Sequence, residues 1–400
     1  MPERNLDFDT VIDRRNTFCL KYDFAVERGK AKPGEDTSDL IPLWIADMDF
    51  KTSSYIQDAL VKAMSSGIYG YSETKEDYFL AVQNFYRTHH QFEIENSSWM
   101  IKTPGVMMML GLAMNAFTEK GDGILIQSPV YMHFSEEILA GKRRVISNDL
   151  VYGEDGRFHI DFDDFEKKII EEKPKLFFLC SPHNPVSRVW TREELERMTS
   201  ICLKHHVKIV SDEIHSDFVF TGKHIPTATI SKEVADNTIT VTSPTKTFNL
   251  AGLQIAHTFI SNEKMRKAIL QELDAIGYSQ VSLAGIVGAY TAYTQGDTWL
   301  QAMIQYVKEN IEFTAKFIDE NLPGIKMVPM EASYLALFDF RGTGKKAEEI
   351  DEIILHKARL WLNSGSLFGK NGQGFERVNL ACPRSVLSEA LTRLQRAFYS

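Results

Sequence analysis

No stretch of the sequence reaches the roughly 18 consecutive apolar residues of a membrane-spanning helix. The opening Met-Pro-Glu-Arg-Asn-Leu-Asp also lacks the apolar centre of a secretion signal, so neither membrane insertion nor export is expected. Positive charge is in deficit: 45 Lys and Arg face 54 Asp and Glu, for a formal net charge of -9. The two signs are interleaved, so the broad basic face that phosphate-backbone contacts require is missing, and nucleic acid is not expected as a partner. Cysteine is scarce. Cys19, Cys180, Cys202 and Cys382 are scattered without a CxxC pair, which predicts reduced thiols and a cytoplasmic protein. Repeats, low-complexity tracts and flexible linkers are absent. His89-His90 and His205-His206 have no third ligand at metal spacing and read as helix-end histidines, with no metal expected. Arg341-Gly-Thr-Gly-Lys-Lys346 lacks the spacing of a phosphate loop and reads as a charged turn.

What is present is a chain of 400 residues, 44% hydrophobic and 25% charged, enough for a sizeable core and for two domains. From about Gly123, short apolar runs alternate with longer helical patterns, the signature of strand-helix-strand units. Strands are expected at 124–127, 176–180, 208–211 and 238–242, each continuous in its apolar character, as strands covered on both faces are. Thr191-Arg-Glu-Glu194 is a capping-box pattern, after which Leu195, Met198, Ile201 and Cys202 fall on one helix face. Residues 299–322 form a long amphipathic pattern free of Gly and Pro, fit to bridge two domains. Residues 327–340 read as strands, and 386–398 as a closing helix with Leu387, Leu391, Leu394 and Phe398 on one stripe. The expected fold class is α/β, with a large domain over 50–285 built on a mostly parallel sheet between helices. A smaller α+β domain would form from 1–49 and 286–400.

A polar or aromatic cluster follows each expected strand: Ser128-Pro-Val-Tyr131, Ser181-Pro-His-Asn184, Asp212-Glu-Ile-His215 and Ser243-Pro-Thr-Lys246. Open parallel sheets bind ligands at the carboxyl ends of their strands, so the clusters should meet in one crevice. Asn184, Asp212 and Lys246 are each separated by about one strand-helix-strand repeat, which makes convergence a geometric expectation. Alone, each has a plainer explanation. Lys246 would be surface charge, Asp212 a helix N-cap, Asn184 a turn residue, Tyr131 a core aromatic, and the Met107-Met-Met109 run buried packing.

Together, Asn184-Pro185, Asp212 and Ser243-Pro-Thr-Lys246 resemble the signature of fold-type I pyridoxal-phosphate (PLP) enzymes of the aminotransferase class I/II superfamily. Trp44-Ile-Ala-Asp-Met-Asp-Phe50, Thr103-Pro-Gly-Val106, Ser181-Pro-His-Asn-Pro-Val186, Asp212-Glu-Ile-His-Ser-Asp217, Lys246-Thr-Phe-Asn-Leu-Ala-Gly-Leu-Gln254 and Ala381-Cys-Pro-Arg384 resemble its cystathionine β-lyase branch, of the PatB/MalY type. The resemblance implies PLP as cofactor and Lys246 as the Schiff-base lysine. An amine of ordinary pKa ~10.4 needs a desolvated or cation-lined pocket for that role. Asp212 would face the protonated pyridine nitrogen and Asn184 the ring's phenolic oxygen. Tyr131 would stack on the ring, and His215 would also contact the cofactor. Gly105, Val106 and Met107, at a helix start, would cradle the phosphate; Ser243 and Thr245 would add hydroxyls to it, and Tyr71 would reach it from the neighbouring subunit of a homodimer. Arg377 would clamp the α-carboxylate of a small amino-acid substrate, with Ala46 and Asp47 also at the substrate and Arg384 structural.

The sequence departs from common family patterns at four places. Gln254 and His215 stand where many aminotransferases have arginine and tyrosine, as the lyase branch does; Ser187 replaces a usual glycine, and Met107-Met-Met109 replaces smaller residues. The activity implied is β-elimination on cystathionine or another cysteine S-conjugate, giving a thiol, pyruvate and ammonia. An aminotransferase on the same fold is the nearest alternative. A non-catalytic PLP-binding regulator is the more distant one, because residues 1–40 show neither a helix-turn-helix pattern nor a basic excess.

Overall fold

The computed structural model describes residues 2–400. Its centre is a seven-stranded sheet built from β1 (Met100–Thr103), β2 (Gly123–Ile126), β3 (Arg144–Ser147), β4 (Leu176–Cys180), β5 (Lys208–Asp212), β6 (Thr238–Thr242) and β7 (Ala256–Phe259). The order is β1-β7-β6-β5-β4-β2-β3. The pairs from β6 through β5, β4 and β2 to β3 are parallel; β7 runs antiparallel to both of its neighbours. The expected fold class is what the chain adopts, and α1 (Glu76–His90) precedes the first strand of this sheet.

The central strands are continuous apolar runs because each feeds two cores. Ile124, Ile126, Leu176, Phe178 and Val210 enter one core with α2 (Val106–Phe117), whereas Leu125, Phe177, Leu179 and Ile209 enter the other with α3 (Arg192–Lys204). Alternate side chains of a strand point to opposite faces, so only a run without polar gaps can serve both. Helix α3 starts where its capping box placed it: the Thr191 hydroxyl accepts from Glu194 N–H and the Glu194 carboxylate accepts from Thr191 N–H. Such a cap contributes about 1 kcal/mol.

A second sheet follows, made of β8 (Lys326–Met327), β9 (Leu335–Asp339), β10 (Asn363–Ser364) and β11 (Phe375–Asn379), in the antiparallel order β8-β9-β11-β10. It is reached through α4 (Asp297–Asn321), a rod of about 37 Å at 1.5 Å per residue. This rod contributes Trp299, Met303 and Val307 to a core beside the large sheet and Ile318 to the core of the small one. The closing helix α5 (Arg384–Tyr399) buries Leu387, Leu391 and Leu394 on the small sheet. The 341–346 turn is a single 3₁₀ turn ending at Gly344 with φ +70°. Among the described residues no helix is long and apolar enough to cross a membrane, and all four cysteines are buried and unpaired.

Candidate active site

Strand ends β4, β5 and β6 deliver Asn184, Asp212 and Lys246 to one crevice, which the segment 44–50 and strand β11 close from the side of the small sheet. Asp212 is the last residue of β5, and turns follow it, so the helix N-cap alternative does not arise. It is 5% exposed, and its side chain accepts one hydrogen bond, from Ile214 N–H at 3.2 Å. Burial pushes its carboxyl up to about 7, with Glu213 adding to the rise and Lys246 opposing it. A carboxylate so placed is short of a cation.

Lys246 lies in the four-residue turn Pro244–Thr247, whose start Ser243 caps by accepting from Thr245 N–H. Burial pulls its amine down to about 8; Asp47 and Asp212 pull it back up, and Arg377 pushes it further down. The amine donates to the carbonyl of Ala46 at 2.5 Å, an oxygen that also accepts from the Tyr334 hydroxyl at 3.1 Å.

Arg377, central in β11 and 2% exposed, donates to Asn184 Oδ1 at 3.2 Å and to the Trp44 carbonyl at 2.8 Å. Its guanidinium lies over the Phe368 ring, and its Nε is buried without any partner. Burial lowers its pKa to about 10, which leaves it cationic at neutral pH. His215 is buried and neutral, drawn down to about 3 by burial with Lys246 and Arg377 acting the same way; its Nδ1 lies 3.3 Å from Ser333 Oγ. Tyr131 is the residue that precedes the helix Met132–Ala140, with no capping bond from its side chain. Its hydroxyl is raised to about 12 by burial, with Asp212 adding to the rise and Arg377 opposing it.

The outer parts of the crevice are more open. Gly105 is the N-cap of α2, so the first N–H groups of that helix, at Val106 and Met107, have no partner within it. Thr245 is half-buried, but Ser243 donates to the Ile255 carbonyl at 2.5 Å. Its Oγ also lies 2.7 Å from Thr245 Oγ1, so the two hydroxyls sit side by side next to the lysine turn. Tyr71 is 99% exposed and lines, with Tyr69, Pro104, Gln254 and Tyr278, an open cavity of about 700 Å³. Arg384 stands apart from the crevice, donating to Asn310 Oδ1 at 2.6 Å and stacked over Phe313.

The strap formed by residues 44–50 is held from several sides. Asn379 donates to the carbonyls of Ile45 and Asp47, and Asn249 pairs with Met48 and Phe50. Trp44 stacks on Trp361 at 4.5 Å. Beneath the strap, the fully buried Lys21 lies 2.8 Å from Asp49 and 3.6 Å from Asp47, while Arg14 bonds both carboxylates at 2.8 and 2.6 Å. Tyr334, Ser333 and Lys21 escaped the reading of the sequence, since none sits in a strand-end cluster. For Tyr334 the signal was an aromatic directly ahead of the apolar run 335–338. Ser187 sits at φ +58°, in the left-handed region that favours glycine, which is the physical reason a glycine is usual there.

A family model described as aminotransferase class I and II matches residues 38–394. Cystathionine beta-lyase PatB of Bacillus subtilis (strain 168) is 35% identical over 395 residues, spanning 98% of this chain and 100% of the relative. A solved PLP-bound protein of Clostridium difficile 630, named provisionally as an aminotransferase, has a TM-score of 0.93 and 41% identity, covering 98% of this chain and 99% of its own. Cystalysin of Treponema denticola, whose structure contains PLP, has a TM-score of 0.93 at 35% identity over 98% of both chains.

Proposed function

Because this chain belongs to the aminotransferase class I and II family, we propose that it is a PLP-dependent carbon-sulfur β-lyase. It would act on cystathionine or another cysteine S-conjugate and release a thiol, pyruvate and ammonia. The observation that carries the cofactor is the pair of Lys246 and Asp212, close enough to act on each other's charge: an amine drawn toward neutrality and a buried carboxylate with one hydrogen bond. The donor set fits PLP. Lys246 would supply the condensing amine and Asp212 the counter-charge for a ring nitrogen. Asn184 would donate to the ring oxygen, Tyr131 and His215 would lie against the ring, and the N–H groups of Gly105, Val106 and Met107 with the hydroxyls of Ser243 and Thr245 would receive the phosphate. Bound there, PLP supplies an electron-withdrawing heterocycle that stabilises charge at Cα when its C–H bond breaks.

The chain's own residues do the rest. Arg377 orients the substrate carboxylate with its free donor. Lys246, once released, takes the Cα proton on Nζ, a transfer that a pKa of about 8 suits at neutral pH. The strap from Trp44 to Phe50, with Ala46 and Asp47, walls the substrate side and excludes water. Loss of the thiolate from Cβ, which picks up a proton as it leaves, completes the elimination; the aminoacrylate that remains is released and takes up one water to give pyruvate and ammonia. The end-to-end match to a protein named for that reaction favours it over amino transfer. The active form is a homodimer in which Tyr71 reaches the neighbour's phosphate site, consistent with its exposure. Reduced, buried cysteines fit residence in the cytoplasm.

Purified protein reconstituted with PLP and given cystathionine should form pyruvate and free thiol with no keto acid added. Turnover that depends on an added keto acid would overturn the lyase assignment in favour of the aminotransferase.

A further inference from the structure

The turn that carries Lys246 has four residues, closed by a backbone bond from Phe248 N–H to the Pro244 carbonyl at 2.9 Å. A single turn has little capacity to hold its own shape, because fixing it costs more entropy than its one bond returns. What fixes it lies on the side away from the crevice. Thr247, directly after Lys246 and 1% exposed, donates from its hydroxyl to Asp217 Oδ2 at 2.5 Å. Asp217 Oδ1 lies 2.7 Å from Nε2 of His90, in the last turn of the helix Glu76–His90. Both members of that second pair have side chains 6% exposed. Asp217 belongs with His215 to the loop that follows Asp212, and that loop is pinned by Phe218 N–H on the His215 carbonyl and Ser333 N–H on the Phe218 carbonyl.

One carboxylate therefore joins the two arms of the site. It receives a hydroxyl from the lysine turn and an imidazole from a packed helix, and it is itself part of the loop that follows Asp212. Hydrogen bonds to a charged acceptor are shorter and stronger than neutral ones, and these are shielded from water. We propose that Asp217 is a positioning residue: through Thr247 and His90 it ties the Asp212 loop to the Lys246 turn and fixes the span across which the cofactor is held. The inference rests on the reading that Lys246 and Asp212 hold PLP between them.

The test uses the holoprotein and three variants. Thr247→Val removes the hydroxyl at equal volume, Thr247→Ser keeps it, and Asp217→Asn keeps an acceptor but removes the charge facing His90. The readouts are the rate of PLP release, the visible circular dichroism of the bound cofactor, and the melting of the apoprotein. T247V should release PLP about tenfold faster with an altered dichroic band, T247S should stay within about twofold of the parent, and D217N should fall between them at about threefold. Parent-like release and dichroism in T247V would overturn the proposal, as would equal loosening by T247S, which would assign the effect to packing. If T247V does not fold, D217N decides, and its releasing PLP at the parent rate would be fatal to the idea. A parent protein that binds no PLP is a separate result, and it would remove the functional reading itself.

Discussion

Two clusters of buried charge lie on either side of the strap, and they are built on opposite principles. Beneath it, Arg14 and Lys21 face Asp47 and Asp49 as two cations against two carboxylates linked by four ion pairs; Lys21 and Asp49 are buried, Arg14 and Asp47 half-buried, and Asp47 Oδ1, 3.6 Å from Lys21, is the one oxygen left without a hydrogen bond. In the crevice, Asp212, Lys246 and Arg377 face one another without closing: Asp212 has one donor, and Arg377 keeps a nitrogen with no partner. A buried ion pair with matched partners serves architecture, and breaking it exposes its cost. Groups left unmatched, with pKa values displaced by burial, mark the place where a ligand completes the set.

The comparison can be broken, or sharpened, by substitution. The largest effect is expected at Lys246→Ala, which should remove the visible absorbance of bound cofactor and lower turnover by at least about a thousandfold; spectrophotometry and the pyruvate assay read both. On the closed side, Lys21→Met leaves two carboxylates facing one guanidinium and should cost about 3–5 kcal/mol in denaturant unfolding. A cost under about 1 kcal/mol would show that this cluster is not the matched network described. Arg377→Lys keeps the charge but loses the planar fork, so KM for the amino acid should rise about a hundredfold, with kcat changed less.

The pH dependence of stability separates the clusters further. The folded apoprotein holds a proton on Asp212 up to about 7, whereas the ordinary carboxyl releases it near 3.8. A folded pKa above the unfolded one means stability is fullest below the lower value and declines as pH rises through the window from about 4 to 7. Melting of the apoprotein should show that decline, Asp212→Asn should flatten it, and added PLP should offset it by supplying the missing cation. The smallest effect is expected far from both clusters: Thr191→Ala should lose about 1 kcal/mol of stability with unchanged turnover.

The strands that were legible in the sequence are the buried inner ones: 176–180 feeds two cores without a polar gap, and 238–242 is buried along its whole length, with Ile239 and Val241 in the core with α2 and its threonines on the opposite face. The runs at 124–127 and 208–211 were legible too, and three members of the sheet, β1, β3 and β7, were hidden. β1 alternates between buried and half-buried residues, and β3 is an edge strand with Ile146 as its one buried residue. β7 buries His257 and Thr258, and His257 is satisfied by the Tyr78 hydroxyl at 2.8 Å. The crevice was legible for the same reason as the strands, since Asn184, Asp212 and Lys246 each follow one. What stayed hidden came from far along the chain. Tyr334 on the Ala46 carbonyl, Lys21 under the strap and Asp217 on Thr247 are meetings that only the folded topology creates.

The guanidinium of Arg377 is anchored on two nitrogens before anything arrives. An incoming carboxylate therefore meets a donor whose rotamer is already frozen and displaces no existing bond, so recognition begins with little entropy left to lose. Selectivity should follow from the same feature. An amine lacking the acid group would leave a buried cation unanswered, so decarboxylated analogues should be rejected at the binding step.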